Sequence, residues 1–154
     1  MGSMSKLDPE AIAQKLTRMV ERIDRLKQFE SVTLENYLRD DLRQAAIERL
    51  LEIIIDSALS INKTLLKRAV GLTPPDSSTS FKNFESFILV GENGCIPQQL
   101  AAQLAPSGSF RNALAHEYDE IDPVQVYSAL QKALSQYPQY VKAIQMYLDA
   151  IDEE

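Results

Sequence analysis

Apolar residues recur along this chain at three- and four-residue steps, the spacing that lines one face of an α-helix. Asp8-Pro9-Glu10 predicts a helix start: the Asp side chain caps free amides, Pro fits the first turn, and Glu favours the positive end of the helix dipole. Ile12, Leu16, Met19, Val20, Ile23 and Leu26 then form one stripe reaching Phe29, with charges opposite. From Thr33 to Val70 there is neither Pro nor Gly. Leu38, Leu42, Ala45, Ala46, Leu50, Ile53, Ile54, Ala58, Ile61 and Leu65 keep helical period there, predicting one long second helix that Gly71 ends in a left-handed conformation. Between Ala45 and Ala58 the apolar positions widen beyond one stripe, which marks either the centre of the fold or a face shared with another subunit.

Residues 73–80 hold two prolines and a cluster of turn formers, and read as a loop between two helical halves. Phe81 to Val90 predicts a short helix with Phe84, Phe87 and Ile88 inward, broken by Gly91 to Gly94. Pro97 opens another short helix through Leu104, and a further one covers Phe110 to about His116. Asp122-Pro123 is a fresh helix start. Pro138 either kinks that helix or begins the last one, in which Tyr140, Ile144, Tyr147 and Ile151 share a face. Strand-like alternation and long repeats are absent, so the expected architecture is an all-α bundle.

At 154 residues and 45% hydrophobic positions, the chain is long enough for one domain with a real core. Residues 1–3 read as a cloning remnant ahead of a natural Met4, leaving 4–154 as a single domain. The lone cysteine, Cys95, excludes an internal disulfide framework and suits a reducing compartment, so the cytoplasm is the expected location. No apolar run approaches the length of a membrane span. The net charge of −6 argues against bulk coating of nucleic acid. Its distribution is uneven: residues 1–70 carry twelve Lys or Arg against eleven acids, residues 71–154 four against eleven. Any polyanion would therefore meet a local basic surface drawn from the first half. Arg18, Arg22, Arg25, Arg39, Arg43 and Arg49 can equally be ordinary solvated helix faces.

Gly91-Glu-Asn-Gly94 lacks the Lys-Ser/Thr and preceding strand of a phosphate loop. With one His and one Cys, a protein-only zinc site would need carboxylates to complete its shell, so zinc is not expected, and Cys95 reads as a buried, inert thiol. The segment Arg111-Asn-Ala-Leu-Ala-His116-Glu-Tyr118-Asp119-Glu-Ile-Asp122 places the only His among an Arg, an Asn, a Tyr and several acids. On a regular helix Asn112 and His116 share a face, whereas Arg111 lies about 140° round the axis from His116. Arg and His converge only if the helix loosens near His116 or if two chains bring their copies together across a two-fold axis. Extended backbone past the helix end would put Tyr118 beside the imidazole. From spacing alone, a surface helix end with a capping His remains open.

Arg, four residues, His, one residue, Tyr resembles the signature of HEPN ribonuclease domains of the HepT type, the toxins paired with MntA-like minimal nucleotidyltransferase antitoxins in type VII systems. Arg49-Leu-Leu-Glu52 in a long second helix, the aromatic-rich short helix after a Pro-containing loop, the Arg-Asn-x-Leu-x-His-x-Tyr core and Ile121-Asp122 extend the resemblance over most of residues 10–150. The N-terminal segment through Phe29 is longer than the shortest members need. The resemblance implies a HEPN-type bundle of up-down antiparallel helices with short accessory helices, and a homodimer acting as a metal-independent endoribonuclease. Arg111, Asn112 and His116 are then the catalytic residues, and no cofactor, metal or DNA is involved. The implied substrate is RNA, with tRNA favoured, and the implied control is AMPylation of Tyr118 by an MntA-like antitoxin. The competing readings are a non-catalytic helical interaction module and a nucleotide-binding HEPN protein that does not cut.

Overall fold

The computed structural model describes residues 7–75, 80–115 and 121–152. Its described elements are α1 (Pro9–Lys27), α2 (Leu34–Leu38), α3 (Asp41–Thr64) running into a π-helical turn (Leu65–Val70), α4 (Asn83–Glu92), α5 (Gln98–Ala115) and α6 (Pro123–Asp152). No strand occurs among the described residues, as the all-α reading expects.

α1 starts where its sequence says it should: Asp8 Oδ1 accepts from the amides of Glu10 and Ala11 at 3.1 and 3.3 Å. Its Ile12, Leu16, Met19, Ile23 and Leu26 are buried against α3 and α6. Each such side chain stabilises the fold by about 1.5–3 kcal/mol. The N-terminal helix is thus part of the core, and Val20, expected on the same stripe, is 39% exposed at its edge.

The long helix expected from Thr33 to Val70 is interrupted. Thr33 caps α2 and Asp40 caps α3, its carboxylate accepting from the Arg43 amide at 3.0 Å. A short acidic side chain that captures a backbone amide locally competes with helix continuation, and neither Pro nor Gly is needed for the break. The break turns Tyr37 fully inward and leaves Leu38 and Leu42 outside, at 43% and 85% exposure, against the expected periodicity. Beyond it α3 is the central helix, burying Ile47, Leu51, Ile54, Ile55, Ala58 and Ile61. Gly71 closes the π turn at φ +85°, the left-handed conformation expected of it.

Two further boundaries differ from expectation. The short helices expected at 97–104 and 110–116 are one helix, α5, passing straight through Pro106. The Ser107 hydroxyl donates to the Leu104 carbonyl at 2.6 Å, and Tyr137 donates to Ser107 at 2.7 Å because the single serine proton is already committed. Packing against α4 holds the rest: a Cβ on Gly108 would lie 2.8 Å from the Asn83 carbonyl, and one on Gly91 2.5 Å from Ala101 Cβ. The two glycines let α4 and α5 approach closely at both ends, against the Asn83 backbone at Gly108 and against the Ala101 methyl at Gly91. α6 likewise passes through Pro138 without a break, with Tyr140 and Ile144 fully buried. Phe84, expected inward, is 48% exposed on the first turn of α4, while Phe81 and Phe87 fill the core on either side.

A buried polar chain crosses this core. The Tyr140 hydroxyl lies 2.6 Å from Asn62 Oδ1 and 3.1 Å from the Ala58 carbonyl. Asn62 Nδ2 donates to Ser86 Oγ at 3.3 Å, and Ser86 donates to the Asn83 carbonyl at 2.8 Å. Asn62 and Ser86 are the buried polar residues of the described core, and their pairing fixes α4 against α3 where α5 ends.

Candidate functional site

The last turn of α5 carries Arg111 and Asn112 to the edge of α3 and the start of α4. Apolar side chains of α3 point inward at Leu51, Ile54, Ile55 and Ala58, so Glu52, Asp56 and Lys63, spaced four and seven apart, share an outer strip. Asp56 meets Arg111 side-on: Nε donates to one carboxylate oxygen and Nη2 to the other, the second at 3.2 Å. Glu52 lies close enough to add to the field at the guanidinium and is itself paired with Arg49. The Asp56 hydrogen bond, ahead of the Asp56 and Glu52 charges, holds the Arg111 pKa above its ordinary value. With side chains 28% and 43% exposed, the pair contributes only about 0–1 kcal/mol to stability. Its effect is orientation. The planar group is locked by one edge, and Nη1 keeps its donors for a ligand among the described contacts.

Asn112 is joined to the same surface by a relay. Its Oδ1 accepts from Asn83 Nδ2 at 3.2 Å, and Asn83 Oδ1 accepts from Lys63 Nζ at 2.8 Å. Because its carbonyl is engaged, Asn112 presents its amide donors outward. Lys63 has its pKa lowered by burial first and by the Arg111 charge second, with Asp56 opposing. Two cations and two amides therefore share one electrostatic surface.

The other expected site residues, His116 and Tyr118, lie outside the described residues. Cys95 is buried, and burial pushes its thiol pKa up, consistent with an inert side chain. No helix among the described residues is long and apolar enough to cross a membrane. The residues that sequence reasoning missed are Asp56, Lys63 and Asn83. A signal for Asp56 existed: it is the one acid within the apolar run from Ile53 to Ile61, one helical turn after Glu52.

The all-α bundle of the described residues, with an Arg–Asn pair near the end of its fifth helix and a His four positions after the Asn in sequence, is a HEPN-type domain. Residues 19–144 match the model of the Ribonuclease HepT-like family, and the chain belongs to that family. A tRNA nuclease HepT from Aphanizomenon flos-aquae (strain 2012/KM1/D3) is 40% identical over 151 residues, spanning 98% of this chain and 99% of that protein. The fold is shared with a toxin–antitoxin complex with AMP-PNP (TM-score 0.74, 20% identity, 89% of this chain and 98% of that one). It is shared also with a tri-AMPylated Shewanella oneidensis HEPN toxin in complex with MNT antitoxin (TM-score 0.71, 21% identity, 88% and 96%).

Proposed function

We propose that this chain is the toxin of a type VII HepT/MntA-type system, a metal-independent ribonuclease that cuts tRNA in the cytoplasm. End-to-end likeness to a tRNA nuclease HepT supports the substrate. The observation that carries the chemistry is the side-on Arg111–Asp56 pair, which presents a rigid cation beside the Asn112 amide. Such a guanidinium binds a phosphodiester and gains most when charge develops on the pentacoordinate transition state. His116, four positions after Asn112 in the motif, takes the proton from the ribose 2′-hydroxyl, and the 2′-oxygen attacks phosphorus. The 5′-oxygen leaves with a proton from the His116 of a second copy, so the working unit is a homodimer with a composite cleft. Asn112 orients the imidazole or donates to the phosphate. The products carry a 2′,3′-cyclic phosphate or 3′-phosphate and a 5′-hydroxyl.

Silencing follows from Tyr118, two residues from the imidazole. An MntA-like nucleotidyltransferase joins the tyrosine oxygen to the α-phosphorus of ATP and releases pyrophosphate. Each added AMP brings negative charge and a purine that repel and block an RNA backbone. Related toxin–antitoxin complexes, one with AMP-PNP and one with a tri-AMPylated toxin, support this reading. The test is cleavage of total tRNA by wild type, Arg111→Ala and His116→Ala. Both variants should lose activity while keeping their helical circular dichroism. Cleavage surviving in both would overturn the proposal.

A further inference from the structure

The net negative charge leaves open how a polyanion is held, and the end of α3 answers it. Between Asp56 and Asp76 the sequence contains no acid, yet Lys63, Lys67 and Arg68 fall in that interval. The chain there passes from α-helix into the π turn of Leu65–Val70, and residues 63, 64, 67 and 68, at helical i, i+4 spacing, line one rim. With Pro74, Ser80 and Phe81 they line an open cavity of about 300 Å³. Three cationic side chains and two hydroxyls are a donor set for an oxyanion. Lys63 belongs to both places: it lines this pocket and, through Asn83, is bonded to Asn112 beside Arg111.

We infer that the pocket of Lys63, Thr64, Lys67, Arg68, Ser80 and Phe81 binds a backbone phosphate of the RNA, flanking the phosphate held by Arg111. The inference rests on the nuclease reading and deepens it. Seven residues of helix separate Asp56 from Lys63, about 10 Å along the axis. At about 3.4 Å of rise per phosphate of a helical strand, that is a span of about three nucleotides. The two sites thus fit one continuous strand. The π turn and the relay through Asn83 set their separation. Binding here selects an RNA long enough to reach both, which a short oligonucleotide does not do.

The test uses the full chain carrying His116→Ala, so that substrate is bound without being cut, and fluorescently labelled tRNA. Lys67 and Arg68 are exposed, so Lys67→Gln with Arg68→Gln should leave the helical signal unchanged. The pair should weaken tRNA binding about tenfold and reduce the slope of log Kd against log salt by about two, one for each cation removed. In the active protein the loss should appear as a raised KM, and it should be larger on tRNA than on a trinucleotide that spans only the scissile phosphate. Unchanged affinity, slope and KM in a protein whose wild type cuts tRNA would overturn this inference alone. So would normal tRNA binding combined with lost capture of the partner nucleotidyltransferase. Wild type that neither binds nor cuts tRNA would overturn the nuclease reading, and this inference with it.

Discussion

Asp56 and Arg111 stand 55 residues apart in the chain, yet the carboxylate of one clasps the guanidinium of the other through both Nε and Nη2. The bond is too exposed to matter much for stability, and its geometry is what counts. Replacing Asp56 by Ala should lower kcat/KM on tRNA by about 100-fold, the scale expected when a positioned group drifts by about 1 Å. The unfolding free energy should move by less than about 1 kcal/mol. Asp56→Glu should recover part of the rate. Arg111→Lys should behave like the Ala variant, because an ammonium cannot be held by one edge while offering another. Steady-state kinetics beside urea unfolding separate the two effects.

Gly108 offers a test of how the site is assembled. Alanine is the better helix former by about 1 kcal/mol, so an exposed helical glycine would gain from the change. Here the added methyl would sit 2.8 Å from the Asn83 carbonyl. Gly108→Ala should therefore destabilise the protein by about 1–3 kcal/mol, as overpacking does. By pushing α4 from α5 it should also loosen the Asn83–Asn112 bond and lower activity. A gain in stability on urea unfolding would show that the close approach is not needed.

Asn62 is fully buried between Tyr140 and Ser86. Asn62→Ala breaks the link between the two hydroxyls, leaving Tyr140 only the Ala58 carbonyl and Ser86 only the Asn83 carbonyl, and opens a small cavity, so a loss of about 2–4 kcal/mol is expected. Tyr140→Phe should cost less, about 1–2 kcal/mol, since the ring contacts with Phe87 and Tyr137 persist. Denaturant midpoints would order the two variants.

Tyr37 gives the pH dependence. Its hydroxyl is buried without a hydrogen-bond partner among the described residues, and burial, aided by Glu48, pushes its pKa up to about 12. Burial also raises the pKa values of Tyr137 and Tyr140. A folded-state pKa above the unfolded one means the unfolded chain binds fewer protons in the interval. The stabilisation is then complete below about pH 10 and declines from there toward about pH 12. Tyr37→Phe removes an unpaired polar atom, so it should be neutral or stabilising by up to about 1 kcal/mol at neutral pH and should flatten the alkaline decline. Thermal melts across that range would show it.

How far the sequence goes is plain from particular positions. The stripe from Ile12 to Leu26, the Asp8 cap and the left-handed Gly71 were legible because each depends on neighbours within a turn or two. The sequence predicts a helix stop at Leu104 and a kink or restart at Pro138, yet α5 runs through Pro106 and α6 through Pro138, with the close packing of α4 on α5 and the Ser107–Tyr137 contact coming from distant parts of the chain. Asp40 was the opposite case, a break made by one side-chain bond inside an unbroken periodic pattern. At the site, Arg111 and Asn112 stood out by local density of chemistry. Asp56 showed only as an acid inside an apolar run, and Lys63 and Asn83 not at all, since nothing near them in sequence marks what α5 brings alongside.

The central claim is that Arg111 and His116 cut RNA by attack of its own 2′-oxygen without a metal. End-group analysis of tRNA treated with purified wild-type protein in excess EDTA addresses it most directly. The expected result is undiminished cleavage leaving 5′-hydroxyl ends opposite 2′,3′-cyclic or 3′-phosphates. Cleavage that stops in EDTA, returns with magnesium and leaves 5′-phosphates would contradict it.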